Sequence, residues 1–400
     1  MPDPAALRQL ALDQRDKGTV LHPSMSDYDG EMSKMWGGPP PRWFASAMGA
    51  FPKRFSHMAG RTALVTGGTG GIGFYVAKLL CRVGLTVVLP ARPQLEHEAA
   101  SAAAAITAAV PGATVLIPGV PLDLASFASV RAFGAHMRSL PPEGSPDRID
   151  ALVLNAGRGG SAVGANEASV DGHEVIMQVN LLSQALLSAE LLPLLRRSDH
   201  ARIVAQSSGA RFNTRESEMS LDLGTNLAAV SAHSPWAQYS RSKAGACLLA
   251  RALSRRLAAA GVTGSAASSD PGLAATGVNV QHDLAATLGG RQPDTKALHD
   301  VAAHHAADGA LPITLAALEG VTDGEAAADA FYSPAGSRAR SLEDAAMRLD
   351  ARQLRRGDPA AWGNETVEAF WQRLVEATPG LGDAWSAAAR EGQGSCEGSE

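Results

Sequence analysis

Three groups of residues in this 400-residue chain could do chemistry together. The first is Tyr239-Ser240-Arg241-Ser242-Lys243, which spaces a phenol and an ammonium four residues apart ahead of an apolar helical run from Ala244 to Leu257. On a helix that spacing puts both groups on one face. A phenol at its usual pKa of about 10 is a poor proton shuttle at neutral pH, and a neighbouring cation is expected to favour the phenolate and lower that value. The second group is Ser207-Ser208, at the end of the strand-like run Ala201 to Gln206. A hydroxyl there could donate a hydrogen bond to a substrate carbonyl, and strand alternation points the two serines to opposite faces. The third is Thr66-Gly67-Gly68-Thr69-Gly70-Gly71-Ile72-Gly73, which follows the apolar run Thr62 to Val65 and opens an apolar-periodic segment from Ile72 to Val83. Strand, glycine turn and helix in that order aim backbone N–H groups and the positive helix end at a diphosphate. Glycine is needed where φ is positive or where a side chain would block the phosphate.

The elements that must position these groups alternate from Gly60 onward. Strand-like runs at Thr62–Thr66, Thr86–Ala91, Ala113–Pro118, Ile149–Leu154, Ala201–Gln206 and Val262–Ser268 are separated by helical stretches. Those stretches are Gly71–Val83, Gln94–Ala109, Ser126–Ser139, Asp171–Arg197 and Trp236–Ala260, and a last strand is expected at Ala330–Ser333. Such βαβ alternation predicts an α/β fold, a Rossmann-type doubly wound parallel sheet with helices on both faces. The expected organisation is an N-terminal extension over residues 1–59, one domain over 60–377 and a flexible C-terminal tail over 378–400. Within the extension, Gly37-Gly38-Pro39-Pro40-Pro41 stands among Trp36, Trp43, Phe44 and Phe51. Proline favours extended chain and the aromatics favour burial, so this segment reads as an irregular arm laid on the core, with a partner or membrane surface as the alternative.

Composition narrows the classes. A net charge of −5 and the lack of a long basic run give no electrostatic case for nucleic acid. Cys81, Cys247 and Cys396 lie far apart and form no CxxC pair, as expected for a reducing compartment. The first 17 residues carry Asp3, Asp13 and Asp16, unlike a secretory or transit leader. The most apolar stretch, Leu181 to Leu195, is interrupted by Ser183, Gln184, Ser188, Glu190 and Pro193, so no transmembrane segment is expected and the location expected is cytoplasmic. His304 and His305 are adjacent and would diverge on a helix, and no metal site is expected.

The glycine turn followed by Tyr-x-x-x-Lys resembles the short-chain dehydrogenase/reductase family, over roughly residues 60 to 375. Within it, Asp171-Gly172-His173-Glu174, Val179-Asn180-Leu181-Leu182, Leu191 to Arg196 and Asn364-Glu365-Thr366 are similar to the retinol-dehydrogenase-like branch. The resemblance implies that Ser208 rather than Ser207 enters the site, and that Asn180 holds a water linking Lys243 to solvent. It gives Lys243 a second task, binding the nicotinamide ribose. It implies that Asn155-Ala156-Gly157 steadies the central sheet beside the adenosine ribose and that Asp123-Leu124 meets the adenine. It also places Pro271-Gly272, with Thr276, beside the nicotinamide carboxamide. Segments Gly209 to Ser234 and Ala274 to Gly309 are then the expected cover and lid over the site. The implied catalytic set is Ser208, Tyr239, Lys243 and Asn180, for reversible hydride transfer between a nicotinamide and a carbonyl or alcohol.

Cofactor choice rests on Val87-Val88-Leu89-Pro90-Ala91-Arg92, which lacks the acidic residue that favours NAD(H) and ends in an arginine suited to a 2′-phosphate. NADP(H) is expected over NAD(H), with a small to medium lipophilic carbonyl or alcohol as substrate. Two rival readings are a protochlorophyllide-type reductase and a catalytically silent NADP-binding sensor or scaffold. A homodimer is allowed through the helices beginning at Asp171 and Trp236, unless loops or the arm cover them.

Overall fold

The computed structural model describes residues 41–139, 146–159, 166–220, 222–224, 233–272, 274–275, 304–319, 330–334, 341–349, 353–354 and 357–394. Among the described residues the strands are β1 (Thr62–Val65), β2 (Thr86–Val88), β3 (Thr114–Leu116), β4 (Ala151–Leu154), β5 (Ala201–Gln206), β6 (Gly264–Ser269), β7 (Ala274–Ala275), β8 (His304–His305), β9 (Phe331–Ser333) and β10 (Met347–Leu349). Eight of them form one sheet in the order β10-β9-β6-β5-β4-β1-β2-β3. Every pairing in it is parallel except β10 against β9. The strand order reverses between β1 and β4, which opens a crevice at their C-terminal ends where ligands of such sheets bind. The doubly wound sheet predicted from sequence is therefore present. Several strands are shorter than predicted; β2 stops at Val88, two residues before Pro90, which has no N–H to give a ladder.

Alternation explains how the strands bury both faces. Leu64 of β1, Leu152 and Leu154 of β4 and Ile203 of β5 enter one apolar cluster, while Ala63, Val65, Ala151, Val153 and Val204 enter the other. Helices α1 (Phe44–Arg54), α2 (Gly71–Val83), α3 (Glu96–Ala109) and α7 (Leu311–Glu319) cover the second face. The first is covered by α4 (Phe127–Ser139), α5 (Ser183–Glu190), α6 (Pro235–Ala259), α8 (Asn364–Ala377) and α9 (Leu381–Gly394).

The stretch expected as one helix over Asp171–Arg197 is broken. Gly172 turns the chain at φ +81°, and Glu174 then caps a short helix, Val175–Met177, by accepting from the N–H groups of Ile176 and Met177. A π turn follows at Gln178–Leu182 and leads into α5. The helix breaks again at Leu191, and Pro193 opens the last turn, Leu192–Leu195, because proline is tolerated only where no intrahelical N–H is required.

The aromatics of the N-terminal arm find burial: Phe44 and Phe51 of α1 are buried, and Phe44 meets Tyr75 of α2 edge to face at 5.3 Å. Helix α1 has no side-chain cap of its own. Instead the N–H groups of Arg42, Trp43 and Phe44 donate to the Asp308 carboxylate at 2.7, 2.8 and 2.9 Å, which satisfies orphan donors of the first turn. Trp36 and Gly37 to Pro40 lie outside the described residues.

The segment read as a flexible tail is the other departure. Residues Leu381–Gly394 form α9, and Leu381 and Trp385 are buried. Their four-residue spacing makes a short apolar stripe that small polar neighbours obscure in the sequence. Trp385 meets Trp371 of α8 edge to face at 6.2 Å. Helix α8 in turn lies along α6: Arg255 and Arg256 reach Glu368 at 3.0 and 2.6 Å, and Arg256 stacks 4.8 Å from the Trp371 ring. Every residue of α6 from Gln238 to Ser254 is buried. Trp385→Ala should lower unfolding stability by about 3 kcal/mol in a chemical denaturation experiment; a loose tail would give no change.

Candidate active site

The glycine turn leaves β1 and enters α2 with no side-chain cap on the helix, whose N-cap is Gly70. Its first-turn N–H groups therefore face the crevice without a side-chain partner at the cap, next to the positive helix end. Gly67 and Gly71 adopt φ of +64° and +51°, the left-handed region that favours glycine. Gly73 is needed for space: a Cβ there would sit 2.2 Å from the Gly67 carbonyl oxygen and 2.5 Å from Asn155 Nδ2. At Gly68 a Cβ would meet Leu89 at 2.4 Å. This cradle fits a dinucleotide diphosphate.

Thr66 and the Asn155-Ala156-Gly157 turn are knitted together across β1 and β4. Asn155 Nδ2 donates to the Thr66 carbonyl at 3.0 Å, and the Ala156 N–H donates to Thr66 Oγ1 at 3.0 Å. Gln184 of α5, which sequence reasoning did not single out, donates to the Ala156 carbonyl at 3.0 Å. The Asp123-Leu124 segment is brought to the end of β2 by a bond from the Leu122 N–H to the Ala91 carbonyl at 2.8 Å. The Asp123 carboxylate itself accepts from the Ala125 N–H at 2.8 Å. Arg92 stands at the same end with its side chain 65% exposed, paired with Glu98 at 3.2 Å.

Ser208, Tyr239 and Lys243 come together where β5 ends against the start of α6. Ser234 caps α6 by accepting from the Ala237 N–H, and Pro235 fits its first turn. Tyr239 then packs with Val175, Ile176 and Ala210 and stacks on Trp236 with centroids 5.5 Å apart. The Ser208 hydroxyl is hydrogen-bonded to the Tyr239 phenol. Ser207 points the other way, donating to the Lys243 carbonyl at 2.7 Å, with the Cys247 thiol at 3.3 Å from its oxygen. Lys243 Nζ donates to the Gln206 carbonyl at 3.0 Å and lies 5.6 Å from the Tyr239 ring centre.

The charge balance differs from the expectation of a lowered phenol. Burial pushes Tyr239 up to about 12; the Ser208 hydrogen bond works against that and the Asp270 charge adds to it. Burial pulls Lys243 down to about 8, against the opposing pull of Asp270 and Cys247. Desolvation penalises both charged forms and is the largest cause of each shift.

Asn180 sits in the π turn, a geometry that places extra backbone freedom at functional positions. Its Oδ1 accepts from the Arg158 N–H at 2.6 Å, and its Nδ2 donates to the Arg158 carbonyl at 3.0 Å and to Ser242 Oγ at 2.9 Å. The amide thus bridges backbone to the Ser242 hydroxyl. It also remains beside Lys243: a Cβ on Gly157 would lie 3.2 Å from Lys243 Nζ and 3.3 Å from Asn180 Oδ1. Pro271-Gly272 follows β6, with Gly272 at φ +71° and its N–H donating to Asp270 Oδ1 at 2.9 Å. His304 Nε2 bonds the Pro271 carbonyl at 2.7 Å. Thr276, most of Ala274 to Gly309 and part of Gly209 to Ser234 lie outside the described residues. Arg211, Asp270 and His304 carried no motif signal, because the partners that fix them are distant in sequence.

A family model for short chain dehydrogenase matches residues 61–220. Polyprenol dehydrogenase of Mus musculus is 35% identical over 221 residues, covering 54% of this chain and 61% of that protein. Dehydrogenase/reductase SDR family member 13 of Homo sapiens is 34% identical over 215 residues, covering 54% of this chain and 52% of that one. Retinol dehydrogenase 14 of Mus musculus is 34% identical over 215 residues, covering 52% and 59%. The chain thus spans between 52% and 61% of the length of these curated relatives. The crystal structure of an uncharacterized protein from Mycobacterium paratuberculosis superposes with a TM-score of 0.54 at 26% identity, covering 80% of this chain and 94% of that one. Among the described residues no helix is long and apolar enough to cross a membrane.

Gly73→Ala should cost at least tenfold in dinucleotide affinity by fluorescence titration, since the added methyl meets backbone that cannot yield. Gly49→Ala, with nothing within 4 Å of the new methyl, is the matched control and should bind as the parent does.

Proposed function

Because the chain belongs to the short-chain dehydrogenase/reductase family, in its retinol-dehydrogenase-like branch, we propose that it is an NADP(H)-dependent oxidoreductase. Its substrate is a small to medium lipophilic carbonyl compound or the corresponding alcohol. The observation that carries this reading is the convergence of the Ser208 hydroxyl, the Tyr239 phenol and the Lys243 ammonium at the end of β5, in the crevice that the glycine turn also borders. A bound nicotinamide supplies or accepts the hydride. Everything else falls to the chain's own side chains.

In the reductive direction Tyr239 gives its proton to the substrate oxygen. A phenol held near 12 keeps that proton across the neutral range, so it is poised as an acid. Ser208 holds the same oxygen and stabilises the negative charge that develops on it. Lys243, protonated below about 8, is the cation that steadies the phenolate left behind and passes a proton onward. Asn180 and Ser242 fix the wall beside it, and Trp236 offers an aromatic surface next to Tyr239 for an apolar substrate.

The 2′-phosphate reading rests on Arg92, the cation at the end of β2, which gives up its exposed pair with Glu98 at little cost. The outer faces of α5 and α6 are covered by the chain's own α8 and α9. A homodimer through those helices is accordingly left out of the proposal.

Consumption of NADPH with a panel of aldehydes, ketones, retinal and quinones tests the reading. Turnover should be level below pH 8 and decline as pH rises through about 8, where Lys243 loses its proton. Tyr239→Phe should reduce turnover by at least a hundredfold while leaving NADPH affinity within about twofold. Binding without turnover across the panel would replace the enzyme with a sensor. Arg92→Ala should raise KM for NADPH at least tenfold and leave NADH nearly unaffected; an equal loss for both would show that Arg92 does not read the 2′-phosphate.

A further inference from the structure

Arg211 follows Ser208 by three residues and is only 4% exposed. A buried guanidinium is tolerated when its donors are met and its charge is paired, and this one is met on every side. Nε and Nη2 donate to the two oxygens of Asp358 at 3.0 Å each, a bidentate fork. Nη1 donates to the Asp270 carboxylate and to the Ser208 carbonyl, the latter at 3.1 Å. The guanidinium carbon also lies over two rings, 4.2 Å from the centre of Phe212 and 4.4 Å from that of Phe331.

Three segments distant in sequence are joined at this one side chain. They are the turn that carries Ser208, the turn that carries Pro271-Gly272, and the stretch around Asp358, which itself caps the next turn through the Ala360 N–H at 3.0 Å. Two carboxylates face one guanidinium. The groups that feel Asp270 are Arg211 and, on α6, Tyr239 and Lys243, with His304 from β8. Cys247, a turn beyond Lys243, is a further neighbour of both Lys243 and Arg211.

We propose that Arg211 and Asp270 act as a positioning unit for the reaction: Arg211 clamps the Ser208 turn to the Pro271-Gly272 turn, and Asp270 sets a fixed negative charge behind Tyr239 and Lys243. This rests on the reading of Tyr239 and Lys243 as the proton-transfer pair. Arg211 touches no reacting atom; it acts through the Ser208 backbone. Lysine cannot replace it, because a point charge cannot span Asp358, Asp270 and the Ser208 carbonyl together.

The test uses the full-length chain and two readouts. In protein labelled with 13C-lysine, the Lys243 resonance is identified by its loss in Lys243→Arg and titrated by NMR. Asp270→Asn, which keeps the shape and removes the charge, should move the Lys243 midpoint to lower pH by roughly one unit. The pH at which NADPH-dependent reduction declines should move with it. Arg211→Lys should lower kcat roughly tenfold with KM for NADPH within about twofold, since Ser208 is displaced and the cofactor cradle is not. A folded Asp270→Asn protein with an unmoved Lys243 midpoint overturns the proposal, as does an Arg211→Lys enzyme with the parent's kcat and pH profile. If the parent chain turns over no carbonyl compound, the oxidoreductase reading falls, while the lysine titration still decides whether Asp270 sets the charge.

Discussion

Desolvation of α6 governs the chemistry this chain can perform. From Gln238 to Ser254 the helix is enclosed on all sides, so its phenol and its ammonium both give up hydration. Water would favour phenolate and ammonium by solvating each; the interior penalises each. The result is a phenol near 12 and an amine near 8, each shifted toward its neutral form. In the proposed reaction a proton would then pass between donor and substrate without a fully solvated charge on either partner. The same enclosure makes the few fixed charges nearby, Asp270 above all, stronger than they would be at a surface.

That enclosure comes from outside the sheet. The strands and the helices of both faces deliver Ser208 and the glycine turn, but the outer side of α6 is closed by the C-terminal helices. Arg251 donates to the Trp362 carbonyl and to Asn364, and Arg255 and Arg256 share Glu368. Trp371 and Trp385 complete the apolar seal. On the other face the Asp308 carboxylate holds the start of α1, and α1 holds Phe44 against Tyr75 of α2. The terminal segments are thus part of the environment that tunes the site, even where they contact none of its reacting atoms.

The sheet and the glycine turn were legible because their signals are local. Strand alternation and helix period fall within single segments, and α2 begins and ends where the pattern puts it, at Gly71 and Val83. Alternation alone turns Ser207 and Ser208 to opposite faces, and the two hydroxyls do face apart; which of them enters the site follows only from the family resemblance. The upward shift of Tyr239 is not legible, because the lysine four residues away is visible in the sequence and the depth of burial is not. Helix α9 is illegible for a related reason. Its stripe is two residues, Leu381 and Trp385, and their worth is set by Trp371 and α5, which only the tertiary fold brings near.

Long-range ion pairing was the least legible layer. Arg211 and Asp358 are 147 positions apart, and Arg211 and Asp270 are 59 apart; no motif spacing announces them. Yet the bidentate fork, the two flanking rings and the bond to the Ser208 carbonyl leave the guanidinium a single orientation. Carboxylates brought to it from two other segments are then fixed in turn, and the turn after β6 inherits that order through the bond from Gly272 to Asp270. A cleft built in this way is positioned by charge at its back and by glycine backbone at its front. The floor between them is the row of strand ends, which is the part a sheet of this topology supplies by itself.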